Sequence, residues 1–122
     1  MEIESIVDDL LRVDKGVRYV AVVDEDFHLL ASRMREGKMT MTSDQFDREF
    51  MSVVPPVIVG GAHRLMDYCG ALKGMMIRYE KVVVALFSVG HYVAILSFEP
   101  AVETPFLNRI GDAVEEVMKK IL

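Results

Sequence analysis

Apolar positions recur at helical spacing over the first dozen residues. Ile3, Ile6, Val7, Leu10 and Leu11 share one stripe, with Glu2, Glu4, Asp8, Asp9 and Arg12 opposite. That spacing predicts an amphipathic helix, acidic at its start as the macrodipole prefers. It should end near Asp14-Lys15-Gly16, with Gly16 in the left-handed conformation. The period then changes to two. Val17 to Val23 predicts a strand, with Val17, Tyr19, Ala21 and Val23 on one face and Val20 and Val22 on the other. Asp24-Glu25-Asp26-Phe27-His28 predicts a turn, Leu29 to Arg33 a returning strand, and 34–41 a polar loop.

A helical pattern resumes after Thr42-Ser43-Asp44-Gln45, a candidate capping box. Phe46, Phe50, Val53, Val54, Val57, Gly61 and Leu65 form its main stripe, and Met51, Ile58, Ala62, Met66 and Cys69 form a second beside it. Together they cover about half the circumference, more than one sheet contact requires. Pro55-Pro56 lies in the middle and should kink or break the helix, since an interior proline costs roughly 3 kcal/mol or more.

Three apolar runs follow, Leu72 to Tyr79, Val82 to Val89 and Tyr92 to Phe98, separated only by Glu80-Lys81 and Gly90-His91. Connections this short join antiparallel neighbours. Val82, Val84 and Leu86 oppose Val83, Ala85, Phe87 and Val89, and Ala94, Leu96 and Phe98 oppose Val93 and Ile95. A strand with one wet face alternates apolar and polar, and these do not, so both faces of the sheet should be covered. After Glu99-Pro100, Thr104 should cap a last helix with Pro105 at its first position. Leu107, Ile110, Gly111, Val114, Val117, Met118 and Ile121 mark its apolar face, and Glu115–Lys119 and Glu116–Lys120 should pair on the other.

The order αββαβββα predicts an α+β fold. The most apolar runs belong at the centre of the sheet, and those carrying Arg33, Lys73 and Arg78 at its edges, where charge deters stray pairing. The expected architecture is a five-stranded antiparallel sheet, order 2-1-5-4-3, with helices on both faces. The first and last helices should share one face while the middle helix crosses the other.

Composition narrows the class. A chain of 122 residues, 52% hydrophobic and 27% charged, fits one globular domain over 1–122. A net charge of −5 without a basic run argues against a nucleic-acid surface. No apolar run reaches the roughly 18 residues of a membrane span, so no membrane insertion is expected. The acidic start Met1-Glu2-Ile3-Glu4 is unlike a secretory signal, and a lone Cys69 suits a reducing, cytoplasmic setting.

Candidate chemistry is sparse. Asp24, Glu25, Asp26 and His28 are metal or acid–base ligand types, but the calcium-loop pattern is absent and ordinary turn chemistry accounts for them. His63 and Cys69 lie six apart, on different faces of a helix; a buried, inert Cys69 is the plainer reading. Val57-Ile58-Val59-Gly60-Gly61-Ala62-His63-Arg64 matches no phosphate fingerprint, and small residues that let helices approach explain it better. No catalytic residue, metal ligand or cofactor site is expected.

The hairpin Val20-Ala21-Val22-Val23-Asp24, leading through Asp26 into Leu29-Leu30-Ala31-Ser32-Arg33, resembles the roadblock/LC7 (longin/profilin-like) proteins. The stretch Ile77-Arg78-Tyr79-Glu80-Lys81-Val82 looks like an archaeal branch of that group. The likeness spans essentially the whole chain, with one departure: Phe27-His28 follows Asp26 where the family has an Asp-x-Asp-Gly turn. The resemblance implies a small non-enzymatic dimer that scaffolds complexes and binds or regulates a Ras-like small GTPase. Two functions from different classes follow. One is a homodimeric scaffold or adaptor module whose interface comprises Met51, Ile58, Ala62, Met66, Lys73, Met75, Met76 and Ile77. The other is a small-ligand sensor with a pocket between sheet and middle helix, near Pro55-Pro56 and Gly60-Gly61.

Overall fold

The computed structural model describes residues 2–37, 56, 60–61, 64–100 and 104–122, the side chains of 104–107 excepted. Helix α1 spans Ile3–Leu11, followed by strands β1 (Val17–Val23) and β2 (Leu29–Met34). A single-turn helix α2 (Met66–Cys69) precedes β3 (Gly74–Arg78), β4 (Val83–Val89) and β5 (Tyr92–Phe98). Helix α3 (Thr104–Met118) ends in a 3₁₀ turn over Lys119–Ile121. The five strands form one antiparallel sheet in the order β2-β1-β5-β4-β3, as the burial and charge of the runs predict.

Both faces of the sheet are dry, which is why its central strands do not alternate. On one face Val20, Val22, Ala85, Phe87, Leu96 and Phe98 pack against Ile6, Val7 and Leu10 of α1 and Ile110, Val114 and Met118 of α3. The two helices lie against each other on this face. Truncating Leu10, wholly buried, to Ala should cost roughly 2–5 kcal/mol. On the other face Ala21, Val23, Leu86, Val93 and Ile95 form a second buried cluster with Met75 and Ile77 beside them. The middle-helix stripe lies largely outside the described residues, which include helical Pro56, Gly60 and Gly61. Among the described residues, no helix is long and apolar enough to cross a membrane.

Several local expectations change. Helix α1 stops at Leu11, and Gly16 has no positive φ; its N–H instead donates to Asp14 Oδ2 at 2.6 Å. The helix end is held from a distance by Arg35, whose guanidinium donates to the carbonyls of Leu11, Asp14 and Val17. That brace ties the carbonyl at the end of α1 to the connection and to the start of β1, where the Asp14 carbonyl also accepts Val17 N–H at 3.3 Å. Val17 faces the opposite side from the one its parity predicts. It pairs with Phe98 while Tyr19 pairs with Ser97, so Arg18 is the extra residue of a bulge and Val17 joins the α1–α3 core.

The helical pattern through Leu65 to Cys69 is interrupted, because Arg64 and Leu65 form a turn before α2 begins. No residue of α2 is buried, so Cys69 is exposed, not the buried side chain its apolar company suggests. Strand β3 is shorter than the run Leu72 to Tyr79. Helix α3 starts at Thr104 itself, one residue before the capping pattern would start it. At its end the tighter 3₁₀ geometry brings i and i+3 together. Lys119 therefore pairs with Glu116 at 3.1 Å, and Lys120 reaches Asp9 of α1 at 3.3 Å.

Candidate interaction edge and groove

Strand β3 is the edge on which the candidate interface falls. Its hydrogen bonds show which way each residue faces. Ser88 N donates to Lys73 O and Tyr79 N to Val82 O, both at 2.9 Å. Hydrogen-bonded pairs alternate along an antiparallel ladder, so Lys73, Met75, Ile77 and Tyr79 exchange bonds with β4. The main-chain groups of Gly74, Met76 and Arg78 point to the free edge. The β3–β4 register runs unbroken from Gly74–Phe87 to Arg78–Val83, so no bulge interrupts this edge. No residue of β3 is buried, and Met76 is 39% exposed.

The segment leading into this strand is also apolar and wet. Leu65 is 57% exposed, Met66 40% and Tyr68 88%. Gly70 at φ +85° turns the chain from α2 toward β3. Of the interface residues read from the sequence, Met66, Lys73, Met75, Met76 and Ile77 lie in this continuous stretch. Met75 and Ile77 face the second cluster, and Met76 faces the α1–α3 side, as its partner Ala85 does. Met51, Ile58 and Ala62 lie outside the described residues, as does His63.

A groove runs between β3, β4 and α3 on the α1–α3 side, with a volume of about 360 Å³. It is a different place from the sheet–middle-helix pocket expected of a sensor. The Phe87 ring forms its floor between two glycines. A Cβ on Gly74 would come within 2.8 Å of Leu86 O and 3.1 Å of Phe87 Cδ1, and one on Gly111 within 3.2 Å of Phe87 Cε1. Asp112 and Glu115 stand on the helix wall. Sequence reasoning pairs Glu115 with Lys119 and does not single out Asp112. The signal that marks them is their spacing from Asn108 and Gly111, which places all four on one side of α3.

The acidic turn behaves as turn chemistry predicts. Asp24 Oδ1 accepts the N–H groups of Asp26 and His28, each at 2.9 Å, and Phe27 N donates to Asp24 O at 3.0 Å. The His28 N–H foremost holds the Asp24 carboxyl below its ordinary pKa, with partial desolvation opposing it. Phe27 takes φ +61°, a conformation a glycine adopts at no cost, so the turn closes despite the missing Gly. Asp24, Asp26 and His28 offer ligand atoms within 4.8 Å of one another, but the turn already occupies Asp24: Oδ2 meets His28 Nδ1 at 3.1 Å.

No protein-family model and no curated protein matches the chain in sequence. Solved structures do match in shape. A roadblock/LC7 domain from Streptomyces avermitilis superposes with a TM-score of 0.74 at 5% identity, over 99% of this chain and 95% of that one. The fold is that of the roadblock/LC7 domains. MglB from Myxococcus xanthus gives a TM-score of 0.66 at 16% identity, over 97% and 95% of the two chains. A structure of MglB with a tetrameric arrangement gives 0.62 at 12%, over 97% and 88%. At such identities the likeness concerns the backbone, which the order 2-1-5-4-3 and the turn at Asp24 already define.

Proposed function

We propose that this chain is a non-enzymatic scaffold or adaptor module that works as a homodimer and docks a protein partner of the Ras-like small GTPase class. The observation that carries the dimer is the regular outer edge of β3, which pairs with no further strand among the described residues, beside the exposed Leu65, Met66 and Tyr68. Strand β3 of one protomer would pair with its twin, joining two sheets into one and satisfying the outward groups of Gly74, Met76 and Arg78. Met51, Ile58, Ala62 and Met66 would then meet their counterparts on one face, with Lys73, Met75, Met76 and Ile77 along the seam. The resemblance to roadblock/LC7 proteins supports the partner class, and the tetrameric arrangement of one fold relative supports assembly through this architecture.

Light scattering at tens of micromolar should give the mass of a dimer; a well-behaved monomer would overturn this reading. The partner class is tested separately, by exposing the immobilised protein to purified Ras-like GTPases loaded with GDP or a GTP analogue. Retention of either form supports the adaptor role. Retention of neither removes the GTPase and leaves the dimer standing.

A further inference from the structure

The groove beside α3 is lined by one protomer alone; Lys73, Met75 and Met76 border both it and the proposed seam, but it needs no second copy to form. Its walls are unlike. Gly74 and Gly111 let the Phe87 ring pack closely against both backbones, and Met76 borders the groove above it. Asp112 and Glu115 rise from α3 one turn apart, and Lys73 lies among the lining residues. Elsewhere on the helical side the carboxylates meet cations: Glu4 and Asp8 hold Arg33, Asp9 holds Arg12 and Lys120, and Glu116 holds Lys119. Asp112 and Glu115 make no ion pair among the described residues, not even with Lys73.

We propose that this groove receives an arginine side chain from a basic segment of a protein partner. The linear aliphatic stem would lie along Phe87 and Met76 and shed water there. The planar guanidinium would emerge at the rim, where two carboxylates one helical turn apart offer charge-assisted hydrogen bonds. Among its lining residues, two carboxylates against one ammonium leave the groove net negative, with Lys119 near Glu115 offsetting part of that charge. The overall charge of −5 favours the approach of a basic segment as well.

Amide NMR titration of the full chain with n-butylguanidinium, and with N-butylurea as its neutral planar counterpart, tests the assignment. Saturable shifts should centre on Gly74, Gly111 and Asp112, with butylguanidinium binding at least ten-fold tighter than the urea. Asp112→Asn with Glu115→Gln should weaken it at least five-fold, whereas Glu4→Gln with Asp8→Asn should leave it unchanged. The capped tripeptide acetyl-Leu-Arg-Leu-amide should bind tighter than butylguanidinium. Equal binding of the urea, shifts spread evenly over the acidic surface, or no saturable shift would overturn cation recognition. A tripeptide no better than the small cation would overturn the peptide partner. A monomer mass in the same samples would retire the β3 dimer while leaving the groove result intact.

Discussion

The two edges of the sheet are built in opposite ways. Strand β2 carries a bulge where Val22 pairs with Ala31 but Val23 with Leu29, so Leu30 is extra and the edge is twisted there. Arg33 folds back over α1 to Asp8 at 2.6 Å and Glu4 at 3.2 Å. Arg35 stitches the end of the strand to the carbonyls of α1 and β1. Among the described residues strand β3 has none of these devices: its register is regular, no residue in it is buried, and an exposed apolar turn of helix precedes it. Bulges and braces are how natural sheets blunt an edge, and a flat apolar edge is a template for another strand. The contrast separates a closed edge from an open one within the same sheet.

The sharpest way to break the contrast is Met76→Pro. The Met76 N–H points away from β4, so proline deletes a donor on the free edge without removing a bond of the existing ladder. Dimerisation and partner binding should be lost together, with far-ultraviolet circular dichroism near that of the unaltered protein. Lys119→Glu, on an exposed surface, should change neither. A dimer of Met76→Pro would place the interface elsewhere. Ile58→Glu, alone or with Met66→Glu, should come next in size, shifting the species to monomer or driving it to aggregate in light scattering. Burying an unpaired carboxylate against a symmetric copy of itself is strongly unfavourable. An unchanged dimer would remove the stripe from the interface.

Much of this architecture is legible in the sequence because it depends on period and charge. The split of Val83, Ala85, Phe87 and Val89 from Val84 and Leu86 follows from parity, and the strand order follows from which runs carry Arg33, Lys73 and Arg78. What parity misses is any place where the count slips. Val17 changes face at a one-residue bulge, and neither β-propensity nor polarity records that extra residue. Cys69 reads as core because its neighbours are apolar, yet the turn at Arg64–Leu65 leaves α2 without a buried side. Arg35 sits in a stretch that reads as polar loop, and its role lies in carbonyls 18 to 24 residues away. The groove depends on Gly74 meeting Gly111 across Phe87, a juxtaposition of distant segments that spacing alone does not contain.

The closed edge should answer to different substitutions from the open one. Arg35→Ala removes the side-chain donor from the partly buried carbonyls of Leu11 and Val17, while Asp14 O keeps the Val17 N–H; the change should cost about 1–3 kcal/mol. Chemical denaturation should report that loss with the oligomeric state unchanged. Arg33→Ala should cost less, about 0–1 kcal/mol, because its partners Glu4 and Asp8 are well exposed and screened. If Arg35→Ala dissociated the dimer while leaving monomer stability intact, the division between a braced edge and a binding edge would fail.

The smallest effect belongs to the hairpin that joins β1 to the closed edge. The backbone N–H groups of His28 and Asp26 favour the ionised form of Asp24, so its folded pKa lies below the unfolded one. The sign follows from linkage. The unfolded chain binds the proton more readily, so Asp24 contributes its full stability above its unfolded pKa, roughly pH 4. That contribution is lost as pH falls through the lower folded value. His28 Nδ1 beside Oδ2 acts in the same direction. Asp24→Asn keeps one acceptor for the turn but removes the charge. Its deficit against the unaltered protein should be present at pH 7, unchanged at pH 5, and shrink as the pH approaches 3 in denaturant titrations. Asp24 is only half-buried and its turn lies at the surface, so the deficit should be smaller than that of Arg35→Ala, and the dimer mass should not change. A deficit equal at pH 7 and pH 3 would mean that Asp24 acts through shape alone, with no part played by its charge.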